Sequence, residues 1–176
     1  MYGSVNGMLT SVRMGCGEAM AEIARDLQLE LSLRILVAFI VGAVVGVERE
    51  RRAKAAGLRT HMLVAGGAAM FTIASLTLFG GGDNVDHGRV AAQIVTGVGF
   101  LGAGAIIRSG ASVSGLTTAA TIWVAAGLGM LAGGGAYVLA IISAVLTIIA
   151  LRVPHKWLRR KRTAEVDPEE EPEGED

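Results

Sequence analysis

A single carboxylate among several cations is the part of this sequence whose residue types are best placed to do chemistry. Glu48 stands at the end of an apolar run, where a carboxylate needs a cation or a metal ion as partner because its desolvation is costly. Arg52 follows one helical turn later and can be that partner. A metal ion is the other candidate. The residues alone leave a functional and a topological role for Glu48 equally open.

Two polar stretches, residues 48–61 and 108–118, are expected to meet on the same side of the membrane. They define a candidate functional cluster, which consists of Glu48, Arg49, Arg52, Arg59, Thr60, His61, Arg108, Thr117 and Thr118. Thr60 is expected to be the N-cap of a helix, and His61 an interfacial ring with a polar tip. One acid among at least four cations suits an anion, a lipid phosphate or an acidic protein surface better than a divalent cation.

Enzymatic chemistry is not expected from these residues. No Asp or Glu falls near the middle of a predicted span, so a proton relay or a paired-aspartate protease has no residues to use. Cys16 is the single cysteine, and His61, His87 and His155 lie on different sides or in loops. The sequence therefore predicts no catalytic site and no bound cofactor.

The composition favours a membrane protein. Of the 176 residues, 52% are apolar and 18% are charged, and the mean hydropathy is +0.52. Soluble domains carry about 25% charged residues, so a water-facing surface around a large core would be hard to build. An ordinary soluble enzyme is excluded on these grounds. The expected partner is a lipid bilayer with anionic headgroups, and no nucleic acid is expected.

Charge-free stretches predict the number of membrane crossings. A helix needs about 20 residues to cross about 30 Å of hydrocarbon. Residues 60–82 and 90–107 each supply one stretch, whereas 109–151 holds 43 residues without a charge, enough for two helices joined at Gly133, Gly134 and Gly135. The predicted fold class is an all-α membrane protein, a bundle of five transmembrane helices at about 31–48, 61–80, 90–107, 116–132 and 136–153.

The basic residues predict the orientation of this bundle. They gather between spans one and two and after span five, and basic loops stay in the cytoplasm. The N-terminus is therefore expected outside and the C-terminus in the cytoplasm. Residues 1–30 are expected outside the cytoplasm, with either an interfacial helix over 18–30 or a poorly ordered leader. Residues 154–176, first basic and then acidic, are expected to be a disordered tail.

Glycines at helical spacing predict close packing between membrane helices. Residues 97–104 match the GxGxxG pattern of dinucleotide sites, but the flanks are membrane-length apolar helix rather than a βαβ unit. A packing role is therefore assigned to these glycines and to similar ones on other spans. They are Gly42, Gly46, Gly97, Gly99, Gly102, Gly104, Gly129 and Gly133.

Three ordered motifs resemble the membrane domain of the MgtC/SapB family. They are GVERERRAKAAGLRTH at 46–61, GVGFLGAGAI at 97–106 and GLTTAATIWVAAGLGMLAGGG at 115–135. The resemblance runs over about residues 31–153. It places the family's charged loop on Glu48, Arg49, Arg52, Gly57, Arg59, Thr60 and His61, its glycine helix on Gly97, Gly99, Gly102 and Gly104, and its threonine motif on Gly115, Leu116, Thr117 and Thr118.

This resemblance implies a multi-pass protein of the bacterial inner membrane that is linked to growth at low Mg²⁺. Members of the family are often called Mg²⁺ transporters, and virulence-type members are associated with survival in macrophages and with restraint of the ATP synthase. Virulence-type members look like a membrane domain followed by a cytosolic ACT-like domain. Here only the basic and acidic segments follow the last span, which leaves any role of that domain open. For this chain the resemblance implies Mg²⁺ only as an ion that is transported or sensed.

Two functional hypotheses follow. In the first, the helices form a transport pathway, as a homo-oligomer, with Glu48, Thr117 and Thr118 near its cytoplasmic mouth. In the second, the protein regulates another membrane complex, such as the ATP synthase, and conducts nothing. Docking would then use small-residue helix faces that include Gly99 and Gly129. Magnesium homeostasis is the expected process under both hypotheses.

Overall fold

The protein is a helical bundle with one small β-hairpin. A computed structural model describes residues 3–78, 86, 88–110 and 112–153, with side chains from residue 20 onward. The helices are α1 (Gly3–Arg51), α2 (Leu58–Thr77), α3 (Gly88–Gly104), α4 (Leu116–Gly133) and α5 (Tyr137–Arg152). Between α3 and α4, β1 (Ile107–Ser109) pairs antiparallel with β2 (Ser112–Ser114). The tail at 154–176 lies outside the described residues.

Three helical segments are long and apolar enough to cross a membrane. They are the Met20–Arg51 part of α1, α2 and α4. Helix α5 is also apolar, but it has only 16 residues. The side chains of these segments expose many large hydrophobic groups, as lipid-facing helices do. Residues 20–30, which the sequence assigns to a separate segment, belong to the same helix as the first predicted span.

The hairpin differs from the all-helical prediction. The third span was expected to reach residue 107, but α3 ends at Gly104 and the chain turns into β1. Gly110, with φ +61°, forms the left-handed turn that reverses the chain, and Gly115, with φ +86°, sets the chain into α4. A Cβ at Gly115 would overlap the carbonyl oxygen of Ala105, so only glycine fits there.

Helix α2 packs between α1 and α4 through backbone contacts. A Cβ on Gly42 would lie 2.6 Å from the carbonyl oxygen of His61, and one on Gly46 would lie 2.7 Å from the Cα of Leu58. On α4, Gly129 faces the backbone of Ala65. The small buried side chains around these glycines are mostly alanines, among them Ala38, Ala69, Ala132 and Ala140. Small residues of this kind allow the close backbone approach typical of membrane helices.

Helix α3 packs less closely on the rest of the bundle than α2 packs on α1 and α4. Gly102 packs against Ala119 of α4, with 3.6 Å between its would-be Cβ and the Ala119 carbonyl oxygen. Within the described residues, a Cβ at Gly97, Gly99 or Gly104 would meet nothing within 4 Å. An apolar groove of about 510 Å³ separates α3 from α2. The glycine-rich face of α3 is therefore open, unlike those of α1 and α4.

Gly129 and Gly127 of α4 differ in their surroundings, and this difference leads to a prediction about stability. In Gly129→Ala, the new methyl group would overlap the Ala65 backbone, and overpacking of this kind costs about 1–3 kcal/mol. In Gly127→Ala, the methyl group meets open space and gains helix propensity of about 1 kcal/mol. Thermal unfolding of the two variants in detergent, followed by fluorescence-detected gel filtration, should show a lowered midpoint for Gly129→Ala only. Equal loss in both variants would contradict the packing described here.

Candidate functional site

Glu48 lies in the last turn of α1 and is paired with two arginines. Its Oε2 accepts a hydrogen bond of 2.6 Å from Arg49 Nε and lies 2.5 Å from Nη2 of the same side chain. Its Oε1 lies 2.6 Å from Arg52 Nε, the partner that helical spacing predicts, in an ion pair without good hydrogen-bond geometry. Glu48 and Arg49 are buried, whereas Arg52 is half exposed. Both oxygens of the carboxylate are therefore held by cations.

Glu50 of the same turn caps the next helix. Its Oε2 accepts a hydrogen bond of 2.7 Å from the backbone N–H of Leu58, the first residue of α2. Gly57 occupies the N-cap position, so the prediction of Thr60 as N-cap is wrong, and Thr60 lies in the first turn of the helix. A carboxylate at this place accepts a hydrogen bond from an N–H that has no partner inside the helix. Its negative charge also interacts favourably with the positive end of the α2 dipole.

His61, in the first turn of α2, is fully buried against α4. The prediction of an interfacial ring is therefore also wrong. Its Nδ1 N–H donates to the carbonyl oxygen of Gly57 at 2.8 Å, and its Nε2 lies 3.1 Å from Oγ1 of Thr121. The carbonyl can only accept, which assigns the proton of a neutral ring to Nδ1 and leaves Nε2 to accept from Thr121. The Thr121 hydroxyl also lies 2.9 Å from the carbonyl oxygen of Thr118, to which it can donate instead.

The predicted cluster therefore separates into three parts. Glu48, Arg49 and Arg52 form one ion-paired group, in which Glu48 and Arg49 are buried. His61 and the buried Thr118 belong to a second group, which Thr121 completes. The remaining members lie exposed on the surface; they are Arg59, Thr60, Arg108 and Thr117. Sequence reasoning left Thr121 out of the cluster, although its spacing of three from Thr118 on a helix places both on one face.

The described residues offer no ready metal site. No group of three acidic, histidine or cysteine side chains that could hold a metal ion is found in the part of the chain that the structure describes. Glu48 is the one acid of the predicted cluster, and its oxygens already contact arginines. Chemically, this end of the bundle presents cations around a neutralised carboxylate, an arrangement that attracts anions.

A family comparison covers this whole region. The model of the MgtC family matches residues 35–160, which include both polar groups, the hairpin and helices α2 to α5. The chain belongs to the MgtC family. The resemblance found in the sequence motifs is thereby confirmed. Glu48 lies inside the matched region. So do Glu50, whose contact joins α1 to α2, and His61, whose contact joins α2 to α4.

Curated relatives of this MgtC-family protein come from several bacteria. It is 46% identical over 132 residues to "Putative magnesium transporter YhiD" of Escherichia coli strain K12, covering 72% of this chain and 61% of the relative. It is 46% identical over 126 residues to "Protein MgtC" of Salmonella typhimurium strain LT2, covering 72% of this chain and 53% of the relative. The chain thus spans between half and two thirds of the length of these relatives. No solved structure matches it.

The buried ion pair leads to a second prediction. Glu48→Gln removes the negative charge and leaves Arg49 buried without a counter-charge, and loss of one partner of a buried pair costs about 3–5 kcal/mol. We expect a lower unfolding midpoint in detergent for Glu48→Gln than for Glu22→Gln, which changes an exposed carboxylate on α1. The double variant Glu48→Gln, Arg49→Gln should lose less stability than the two single changes together. A purely additive result would show that the pair is not coupled.

Proposed function

We propose that this MgtC-family protein acts in magnesium homeostasis by binding another membrane protein, and that it does not itself conduct Mg²⁺. It lies in the bacterial inner membrane and crosses it five times, with the N-terminus outside and the C-terminus in the cytoplasm. The magnesium link is supported by a relative, YhiD of Escherichia coli strain K12, whose name is that of a putative magnesium transporter. Three membrane-length helices and the apolar α5 support the multi-pass arrangement.

The proposal rests on one observation, that both carboxylate oxygens of Glu48 are already paired with arginines. A conduction pathway for Mg²⁺ needs oxygen ligands that are free to exchange with water. Glu48 has both oxygens against Arg49 and Arg52, and Glu50 is engaged by the backbone of Leu58. A divalent cation would have to displace two guanidiniums from Glu48 and would meet their repulsion as it approached. The charged turn therefore works better as a fixed structural unit than as an ion ligand.

The open face of α3 supports association with another membrane protein. On the exposed side of α3, Gly97 and Gly104 lie on one flank of Phe100, which is 82% exposed, and Gly99 lies on its other flank. Within the described residues, a Cβ at any of these three glycines would meet nothing within 4 Å. A glycine face lets the backbone of a second helix approach closely, with a large ring to pack against it. Gly129, the other glycine expected to dock a partner, packs against α2 of its own chain and is not available. Binding through α3 is compatible with a regulatory target or with a homo-oligomer.

Transport is the second candidate, and the name of the YhiD relative favours it. A transport pathway would have to form between subunits, with Glu48 exchanging its arginines for the ion during passage. No enzymatic activity is proposed under either candidate. The two differ in whether the purified protein alone moves Mg²⁺ and in whether the α3 face is required in cells.

One pair of variants tests whether the exposed side of α3 is required for function. Gly99→Leu fills the open face of α3, and Gly127→Leu adds the same side chain to α4, where a Cβ also meets open space. We expect Gly99→Leu to reduce growth at limiting Mg²⁺ at least about tenfold in a bacterium that lacks its own MgtC-family protein, because it blocks helix contact. Gly127→Leu should support growth as the unchanged protein does. Membrane levels of both variants are measured in parallel by immunoblotting.

Purified protein in liposomes provides the contrasting measurement. Proteoliposomes loaded with a Mg²⁺-sensitive dye should take up no more Mg²⁺ than empty liposomes under an inward gradient. A gradient-driven uptake that Glu48→Gln abolishes and Glu22→Gln leaves intact would reject the proposal in favour of transport. Full growth with Gly99→Leu at normal membrane level would reject docking through α3.

A further inference from the structure

A cleft lies beside the Glu48 group, between the ends of α1 and α5. It has a volume of about 230 Å³. Three arginines line it at the mouth, namely Arg51 at the end of α1, Arg52 after it, and Arg152 at the end of α5. Its remaining lining residues are Glu48 and three aliphatic side chains, Val44, Val47 and Ile148.

The charge of this cleft is positive after its internal pairs are counted. Arg49 and Arg52 both contact Glu48, so its carboxylate is more than neutralised. Arg51 and Arg152 are exposed, and within the described residues neither makes a side-chain hydrogen bond or an ion pair. The C-terminal ends of α1 and α5 bring about half a negative charge each. The guanidiniums outweigh these charges and the carboxylate together, so the cleft attracts an anion.

The surface next to these arginines is apolar along two helices. On α1, Ile40 and Val44 are about half exposed at a spacing of one turn, and Val47 follows them towards the cleft. On α5, the half-exposed Ile141 and Val145 lead along the helix to Ile148. The arginines of the cleft are thus followed by a line of aliphatic side chains along α1, which is long enough to cross a membrane, and along α5, a shorter apolar helix. We call this line the aliphatic groove.

We propose that this cleft binds an anionic phospholipid. The phosphodiester accepts hydrogen bonds from Arg51, Arg52 and Arg152, because planar guanidiniums match phosphate oxygens in pairs. One acyl chain lies along the aliphatic groove between α1 and α5, as the bilayer dictates for a headgroup at the membrane surface. A soluble phosphate ester would use the arginines but leave the groove unused, and the groove is what selects a lipid over it.

The site also has a consequence for the Glu48 group. Arg52 contacts Glu48 Oε1 and lines the cleft, so a phosphate bound there shares this guanidinium with the carboxylate. The lipid is thus in contact with the turn that joins α1 to α2. This binding does not depend on whether the protein conducts or regulates Mg²⁺, and its test is independent of both.

Native mass spectrometry of the purified full chain in detergent tests the proposal directly. The probes are dioleoyl phosphatidylglycerol and, as the zwitterionic comparison, dioleoyl phosphatidylcholine. We expect one phosphatidylglycerol to bind at least about tenfold more tightly than phosphatidylcholine. Arg51→Gln and Arg152→Gln should each reduce this preference about tenfold, since a hydrogen bond to a charged group contributes about 1.5–3 kcal/mol.

Lys54→Gln is the matched control, because Lys54 is an exposed cation of the α1 to α2 connection that does not line the cleft. It should leave the preference unchanged, and all variants should keep the same unfolding midpoint in detergent, which reports that each is folded. If Lys54→Gln lowered the preference for phosphatidylglycerol as much as the arginine variants do, the preference would come from the general positive charge of this end of the protein. That result would overturn the proposal. Glycerol 3-phosphate is added as a competitor, and displacement of phosphatidylglycerol at equal concentration would overturn the choice of a lipid over a soluble anion.

Discussion

The close backbone approach of α2 to its two neighbours is the constraint on which the rest of this structure depends. Lipid provides no hydrophobic force between helices, so they associate through tight packing and polar contacts. Gly42 and Gly46 on α1, with Gly129 and Gly133 on α4, admit the α2 backbone on both sides. This approach brings the last turn of α1 beside the first turn of α2. It also carries His61 within reach of Thr121.

The polar groups at this end of the bundle are satisfied by one another. Glu48 has its arginines, Glu50 has the α2 N–H of Leu58, and His61 has a carbonyl and a hydroxyl. Such internal pairing is needed where water is scarce, because an unpaired polar group is costly there. Capacity to bind something else is left to groups outside these pairs. These are the exposed arginines at the end of α1 and α5 and the glycine face of α3.

Sequence alone predicted the helices better than the contacts between them. Charge-free lengths located α2, α4 and α5 closely, because a membrane fixes how long an apolar helix must be. The hairpin was missed, since strands of three residues are too short to show a period of two. The burial of His61 depends on Thr121, which lies 60 residues away in the chain, and no local pattern reports that pair. The glycines of α3 and α4 look alike in sequence, and only the packed bundle separates them.

If α3 crosses the membrane, as the proposed five-span arrangement requires, its short length has a physical consequence for the bilayer around it. With 17 residues it is about 26 Å long, a few ångströms less than the hydrocarbon thickness of about 30 Å. Such a mismatch is relieved by local thinning of the bilayer or by a change in tilt. Because α3 is packed mainly on α4 and leaves a groove towards α2, a change in its tilt would meet few contacts on its α2 side. The thickness of the membrane, which depends on its lipid composition, would then change the orientation of the surface that α3 exposes.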